Sequence, residues 1–106
     1  MFGLRLVKIC GDSMAPVLPD GSYTLFSHAF GLTAEDIVLV EHEQFGTIVK
    51  AIARIHRGQF SIKGLSPRST DEKVLGPVWR HQIIGKLRYT VTGPGKRLRT
   101  PNVKTA

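Results

Sequence analysis

The chain has 106 residues, 42% of them hydrophobic and 22% charged, with a net charge of +7 at pH 7. That length bounds one domain with one modest core, and no apolar run approaches the roughly 18 residues of a membrane-spanning helix. The single cysteine, Cys10, excludes an internal disulfide framework and a cysteine-built zinc cluster, and it fits a reducing compartment.

The first eight residues lack the long apolar core of a secretory leader. Leu4 to Ile9 alternates and is rich in aliphatics, which predicts a strand. The next stretch, Gly11-Asp12-Ser13-Met14-Ala15-Pro16-Val17-Leu18-Pro19-Asp20-Gly21, places two glycines and two prolines around one serine. Neither helix nor strand runs through such punctuation, so Ser13 is expected in a loop that presents its hydroxyl in a fixed direction. Met14 is expected to plug the core beside it.

Strands are predicted for Ser22–Ser27 and Ile37–Val40, the second after a connection in which Thr33–Asp36 offers helix-capping residues. Thr47–Ile55 predicts a further strand, although Ala51-Ile52-Ala53 would also accept a short helix. As a strand it places Ile48, Lys50 and Ile52 on one face. His56-Arg57-Gly58-Gln59 reads as the turn of a hairpin into Phe60–Lys63, and 64–76 as a long polar loop. Pro77-Val78-Trp79, with Trp79 expected in the core, leads to a last strand over Gln82–Val91. The pattern is that of a mostly β domain over residues 1–92. Residues 93–106 form a basic tail with Lys96, Arg97, Arg99 and Lys104 and no acid, which supplies four of the seven net charges. Such a composition is expected to be poorly ordered, serving solubility or a contact with anionic lipid or nucleic acid.

A serine hydroxyl attacks only when a base takes its proton. The four histidines, His28, His42, His56 and His81, lie in polar turns or beside charges, and no triad or metal-ligand spacing includes them. Each reads as a surface side chain, and no metal or organic cofactor is expected. A neutral lysine can replace histidine. An ordinary lysine has a pKa near 10.4, so at neutral pH about one in two thousand is free amine. Burial lowers that pKa, and Lys50, in its apolar run, is the lysine best placed for it. Lys8 and Lys63 are the competitors, and Lys63 adjoins Gly64 and a polar loop.

These residues carry a resemblance. Gly11–Leu18 is similar to the Ser-Met-x-Pro-Thr-Leu nucleophile motif of the signal peptidase and LexA-like serine peptidases. Asp36–Val40 resembles their Gly-Asp-Ile-Val strand, and Thr47–Ile55 the strand that carries their base lysine. The segment from Ser69 to Val78, followed by Ile83–Lys86, resembles the signal-peptidase Ser-x-Asp-Ser-Arg loop and its closing strand. The likeness runs from about Leu6 to Tyr89 and implies a small, coiled antiparallel β fold.

It further implies Ser13 as nucleophile, Lys50 as general base, Ser69 as the residue orienting the lysine and Asp71 as a structural acid. The Ser13 backbone N–H would serve the oxyanion, and the second donor stays open, since Gly11 stands where some relatives carry a hydroxyl. Val17 replaces the usual threonine, Lys73 the usual arginine and Gly64-Leu65-Ser66 a Gly-Asp-Asn. The implied activity is that of a serine endopeptidase acting on a precursor or pro-segment, bound as an extended strand with small residues near the cut. The expected location is the cytoplasm, free or peripheral at a membrane, and a homodimer is an open option. Two rival readings are a family member that has lost catalysis and acts as a binding or dimerisation module, and a basic nucleic-acid-binding β domain. The second lacks an aromatic stacking ladder, so nucleic acid is not the expected partner.

Overall fold

A computed structural model describes residues 4–11, 14–66, 72–91 and 102–104, with only the backbone described for 72–73 and 102–104. The chain is mostly β, as its composition of short β-branched segments implies. Its strands are β1 (Arg5–Cys10), β2 (Tyr23–Ser27), β3 (Ile37–His42), β4 (Gly46–His56), β5 (Gln59–Lys63), β6 (Pro77–Trp79), β7 (Ile83–Val91) and β8 (Asn102–Lys104). The sheet order is β3-β7-β2-β1-β8-β4-β5-β6, and β3 also pairs with β4. The first six therefore close on themselves, and β5 and β6 continue outward from β4 as a flap.

This topology produces two cores. One fills the ring with Val7, Ile9, Phe26, Leu39, Val49 and Ala51, sealed by Met14 and Leu18 from the loop between β1 and β2. The other lies where β5 and β6 cover the outer side of β3 and β4, and it contains Val38, Val40, Ile48, Ile52, Phe60, Ile62 and Val78. Strand β4 is thus covered on both sides. Its five consecutive residues from Ile48 to Ile52 are all buried, where an ordinary half-exposed strand would alternate.

Turn chemistry fixes the register. Arg57 and Gly58 both take positive φ, 49° and 79°, in the two-residue turn between β4 and β5, as a hairpin turn matched to strand twist requires. Where β7 passes β2 and β3, a Cβ on Gly85 would lie 3.0 Å from the Phe26 Cβ, so a side chain there would press on Phe26. The Thr33–Asp36 segment caps no helix. It makes a turn, in which the Thr33 N–H donates to Asp36 Oδ2 at 2.9 Å before β3 begins.

Several sequence expectations change in detail. The polar stretch 64–76 contains one helical turn, α1 (Glu72–Leu75), too short to show a periodicity. A 3-10 turn, Arg80–Gln82, precedes β7 and takes Gln82 out of the strand. Trp79 is half exposed, because it lies on the outermost strand of the flap with no further layer to cover it. Cys10, at the end of β1, is half-buried. In the basic tail, Asn102–Lys104 is a strand that pairs in parallel with β1, Lys8 opposite Asn102, and meets β4 at Ile48.

Candidate active site

Lys50 is the centre of the described site. It lies mid-strand on β4, directly opposite Val38 on β3, in a register that runs unbroken from Ile37–Ala51 to His42–Gly46. Alternation puts its side chain on the face of Ile48 and Ile52, both in the outer core with Val38. The side chain is fully buried. Burial pushes its pKa down from 10.5 to about 8, because an ammonium loses its hydration in such surroundings. Roughly a tenth of the amine is then neutral at pH 7, far more than in an exposed lysine.

The strand is clamped just beyond this point. The Ile52 N–H donates to the Asp36 carbonyl at 2.8 Å, and the Glu35 N–H donates to the Ile52 carbonyl at 2.7 Å. Asp36 in turn pairs with Lys86 of β7 at 3.2 Å. Partial burial would raise the Asp36 pKa, but the hydrogen bond from Thr33 and the Lys86 ammonium outweigh it and hold the carboxyl below its usual range.

The loop of the proposed nucleophile is pinned from both ends. The Gly21 N–H donates to the Ile9 carbonyl, and the Ile9 N–H to the Ser22 carbonyl, each at 2.8 Å. The Gly11 N–H donates to the Asp20 carboxylate at 2.8 Å, and Gly11 holds a φ of +98° that suits glycine. Met14 and Leu18, joined by a 2.8 Å bond from the Leu18 N–H to the Met14 carbonyl, are both completely buried. Their core also holds Val49 and Ala51, the two residues flanking Lys50. The loop is therefore packed into the ring that β4 helps to line, while the Lys50 side chain alternates to the other face. Ser13 itself lies outside the described residues, as do Ser69 and Asp71.

Asp20 is the contributor that reading the sequence missed. It stands nine positions from Gly11, and only the folded loop makes them partners. The Asp-Gly pair after two prolines was the available signal. His42 also differs from expectation: it is half-buried, and its Nδ1 accepts the N–H groups of Gln44 and Phe45 at 3.0 and 3.2 Å. Its Nε2–H then donates to the Leu75 carbonyl at 2.6 Å. Both ring nitrogens tie the β3–β4 turn to α1, so His42 is structural. His28, His56 and His81 are exposed as expected. Among the described residues no cluster of His, Cys, Asp and Glu could hold a metal ion, and no helix is long and apolar enough to cross a membrane.

A family model described as Peptidase S24-like matches residues 3–88. The chain belongs to that family. The match spans the segment from β1 into β7, including the serine loop, β3 and β4. Searches of curated proteins and of solved structures returned no match.

Proposed function

We propose that this S24-like protein is a serine endopeptidase in which Ser13 is the nucleophile and Lys50 the general base. The observation that carries the proposal is the complete burial of Lys50 on β4 with its pKa drawn down to about 8, in a family member whose pinned loop carries the serine. Neutral Lys50 Nζ accepts the Ser13 hydroxyl proton as Oγ bonds to the carbonyl carbon of a peptide. The tetrahedral oxyanion is held by the Ser13 backbone N–H. Collapse breaks the C–N bond, and the Lys50 ammonium returns its proton to the leaving amine. A water then attacks the acyl-enzyme ester, giving its proton to Lys50, and the second collapse restores the proton to Ser13. Ser69 orients the lysine, and Asp71 is a structural acid of the segment that carries Ser69. The substrate is an unfolded segment of a precursor, laid in as an extended strand with small residues beside the cut.

The test is digestion of a mixture of unstructured peptides by the full chain, read by mass spectrometry. Wild-type protein is expected to release fragments cut beside small residues, and Ser13→Ala none. Equal fragment yields from the two proteins would overturn the assignment.

A further inference from the structure

Strand β8 is a short insert between two strands that lead to the proposed dyad. In the sheet order it separates β1 from β4. Lys8, Ile9 and Cys10 of β1 face Asn102, Val103 and Lys104 in parallel register, and Ile48 of β4 faces Lys104, also in parallel. All three strands therefore run the same way. β1 enters the serine loop past Cys10, and Ser13 follows three positions later. β4 reaches Lys50 two positions past Ile48. On the side of β4 away from β3, the neighbouring strand changes across Val49–Lys50, from β8 at Ile48 to β5 at Ala51. An extended segment lying in the slot between β1 and β4 is thus aimed at the base and at the loop of the nucleophile.

The slot suits an extended peptide, because strand edges on both sides offer ladder hydrogen bonds to any backbone laid between them. Its present occupant is weakly built for the place. β8 has three residues, where strands usually run to five or six. Asparagine and lysine are poor strand formers, and parallel pairing is slightly less stable per residue than antiparallel. It follows a stretch, 92–101, with two prolines and two glycines, the composition of a linker. A tethered strand need not bind tightly to fill the slot. A short flexible tether holds it at an effective concentration of the order of millimolar. A free peptide with better strand formers can still displace it.

We infer that the Asn102–Lys104 strand occupies the substrate slot and competes in cis with the peptide to be cut, an autoinhibitory contact that substrate displaces. The inference rests on the proposed peptidase reading and adds a closed state to it. Neighbouring strands lie about 4.8 Å apart, within the Cα separation that a disulfide spans. Lys104→Cys therefore sets a thiol opposite the native Cys10. Oxidation of this full-length variant with diamide locks the strand in place, dithiothreitol releases it, and wild-type protein treated alike is the control. A second full-length variant, Val103→Pro, loosens the strand by removing a backbone donor, with circular dichroism confirming that it is folded. One readout is cleavage of an unstructured peptide. The other is fluorescence anisotropy of a labelled peptide with the sequence of residues 100–106, measured in the Ser13→Ala background so that nothing is cut. The locked protein is expected to lose at least about tenfold in kcat/KM and in peptide affinity, and to regain both on reduction. Val103→Pro is expected to lower KM and the peptide Kd about tenfold. A disulfide that does not form would contradict the register and overturn the inference. So would a locked protein that binds and cleaves as well as its reduced form, or a folded Val103→Pro protein with wild-type KM and Kd. Cleavage that Ser13→Ala abolishes but neither tail variant alters would strike the inference and leave the peptidase reading standing. Binding that responds to both tail variants, with no Ser13-dependent cleavage, would sustain the slot and strike the peptidase reading instead.

Discussion

Lys50 and Lys63 lie on adjacent strands, one register step apart, since Lys63 pairs with Ala51. Their environments are opposite. Lys50 is completely enclosed, and burial brings its pKa down to about 8. Lys63 closes β5, keeps about a third of its side chain exposed and pairs with Glu35 at 2.8 Å. Each lysine follows a β-branched residue, Val49 or Ile62, but Lys63 is followed by Gly64 and the polar loop, whereas Lys50 continues an apolar run. The difference comes from position in the sheet. β4 carries the ring on one side and the flap on the other, whereas β5 ends where the flap turns away. Burial on a doubly covered strand favours the neutral amine of Lys50, whereas Lys63 lies ion-paired and partly exposed at a strand end.

The sharpest way to break this comparison is to remove each lysine and measure peptide cleavage. Lys50→Ala is expected to lower kcat/KM by at least about a thousandfold, within the range for loss of a general base. Lys63→Ala is expected to leave it within about twofold, because an exposed ion pair contributes little. Comparable losses from both would mean that burial does not select the base.

The second effect is on stability and has the opposite direction. Lys50 has a lower pKa folded than unfolded, so the unfolded chain binds more protons between about 8 and 10.5. Stability therefore rises with pH across that window, and the penalty is full below it. From the size of the shift, the penalty at pH 7 is about 3 kcal/mol. Lys50→Met keeps the volume and removes the charge. It is expected to stabilise the protein by up to that amount at pH 7, with the advantage fading as pH approaches 10.5. Urea unfolding of both proteins at several pH values gives the difference, and an advantage independent of pH would show that packing, not protonation, sets it. A residue that is more stable when replaced and inactive when replaced fits a functional site better than a structural one.

The pH–rate profile gives a third, smaller effect. The neutral fraction of an amine with a pKa near 8 rises about tenfold between pH 7 and pH 9. The kcat/KM for cleavage is expected to rise by that factor and then level off, and Lys63→Ala is expected to leave the curve in place. A profile that is flat from pH 7 to 9 would separate Lys50 from the rate-determining proton transfer.

How much of this was legible follows from what each feature depends on. The strands and the β4–β5 hairpin were visible because alternation and turn residues are local: Arg57-Gly58 needs only its own backbone preferences. The position of Lys50 between Ile48 and Ile52 follows from the two-residue period alone. Its complete burial does not, because that depends on β3 beside it and the flap across it. Trp79 was misplaced for the converse reason: an indole belongs in a core when a layer covers it, and its strand is the last of the sheet. His42 looked like a surface residue because its two anchoring contacts are set by a tight turn and by α1, which is one turn long. The short strand β8 follows a polar, basic stretch with no apolar period, so only its pairing with β1 and β4 reveals it.

The smallest effect sharpens the other half of the comparison. The Lys63–Glu35 pair has good geometry, but Glu35 is about two-thirds exposed. Water and salt then screen most of the attraction. Glu35→Gln is expected to cost less than about 1 kcal/mol in urea unfolding, and raising the ionic strength should erase much of that. The Lys50 contribution arises from lost hydration, so added salt is expected to leave it nearly unchanged. Measuring both variants, Glu35→Gln and Lys50→Met, at low and high salt therefore separates a screened charge from a buried one within a single sheet. If the Lys50→Met advantage also collapsed in salt, solvent would be reaching the amine, and the case for Lys50 as a base primed by burial would fall with it.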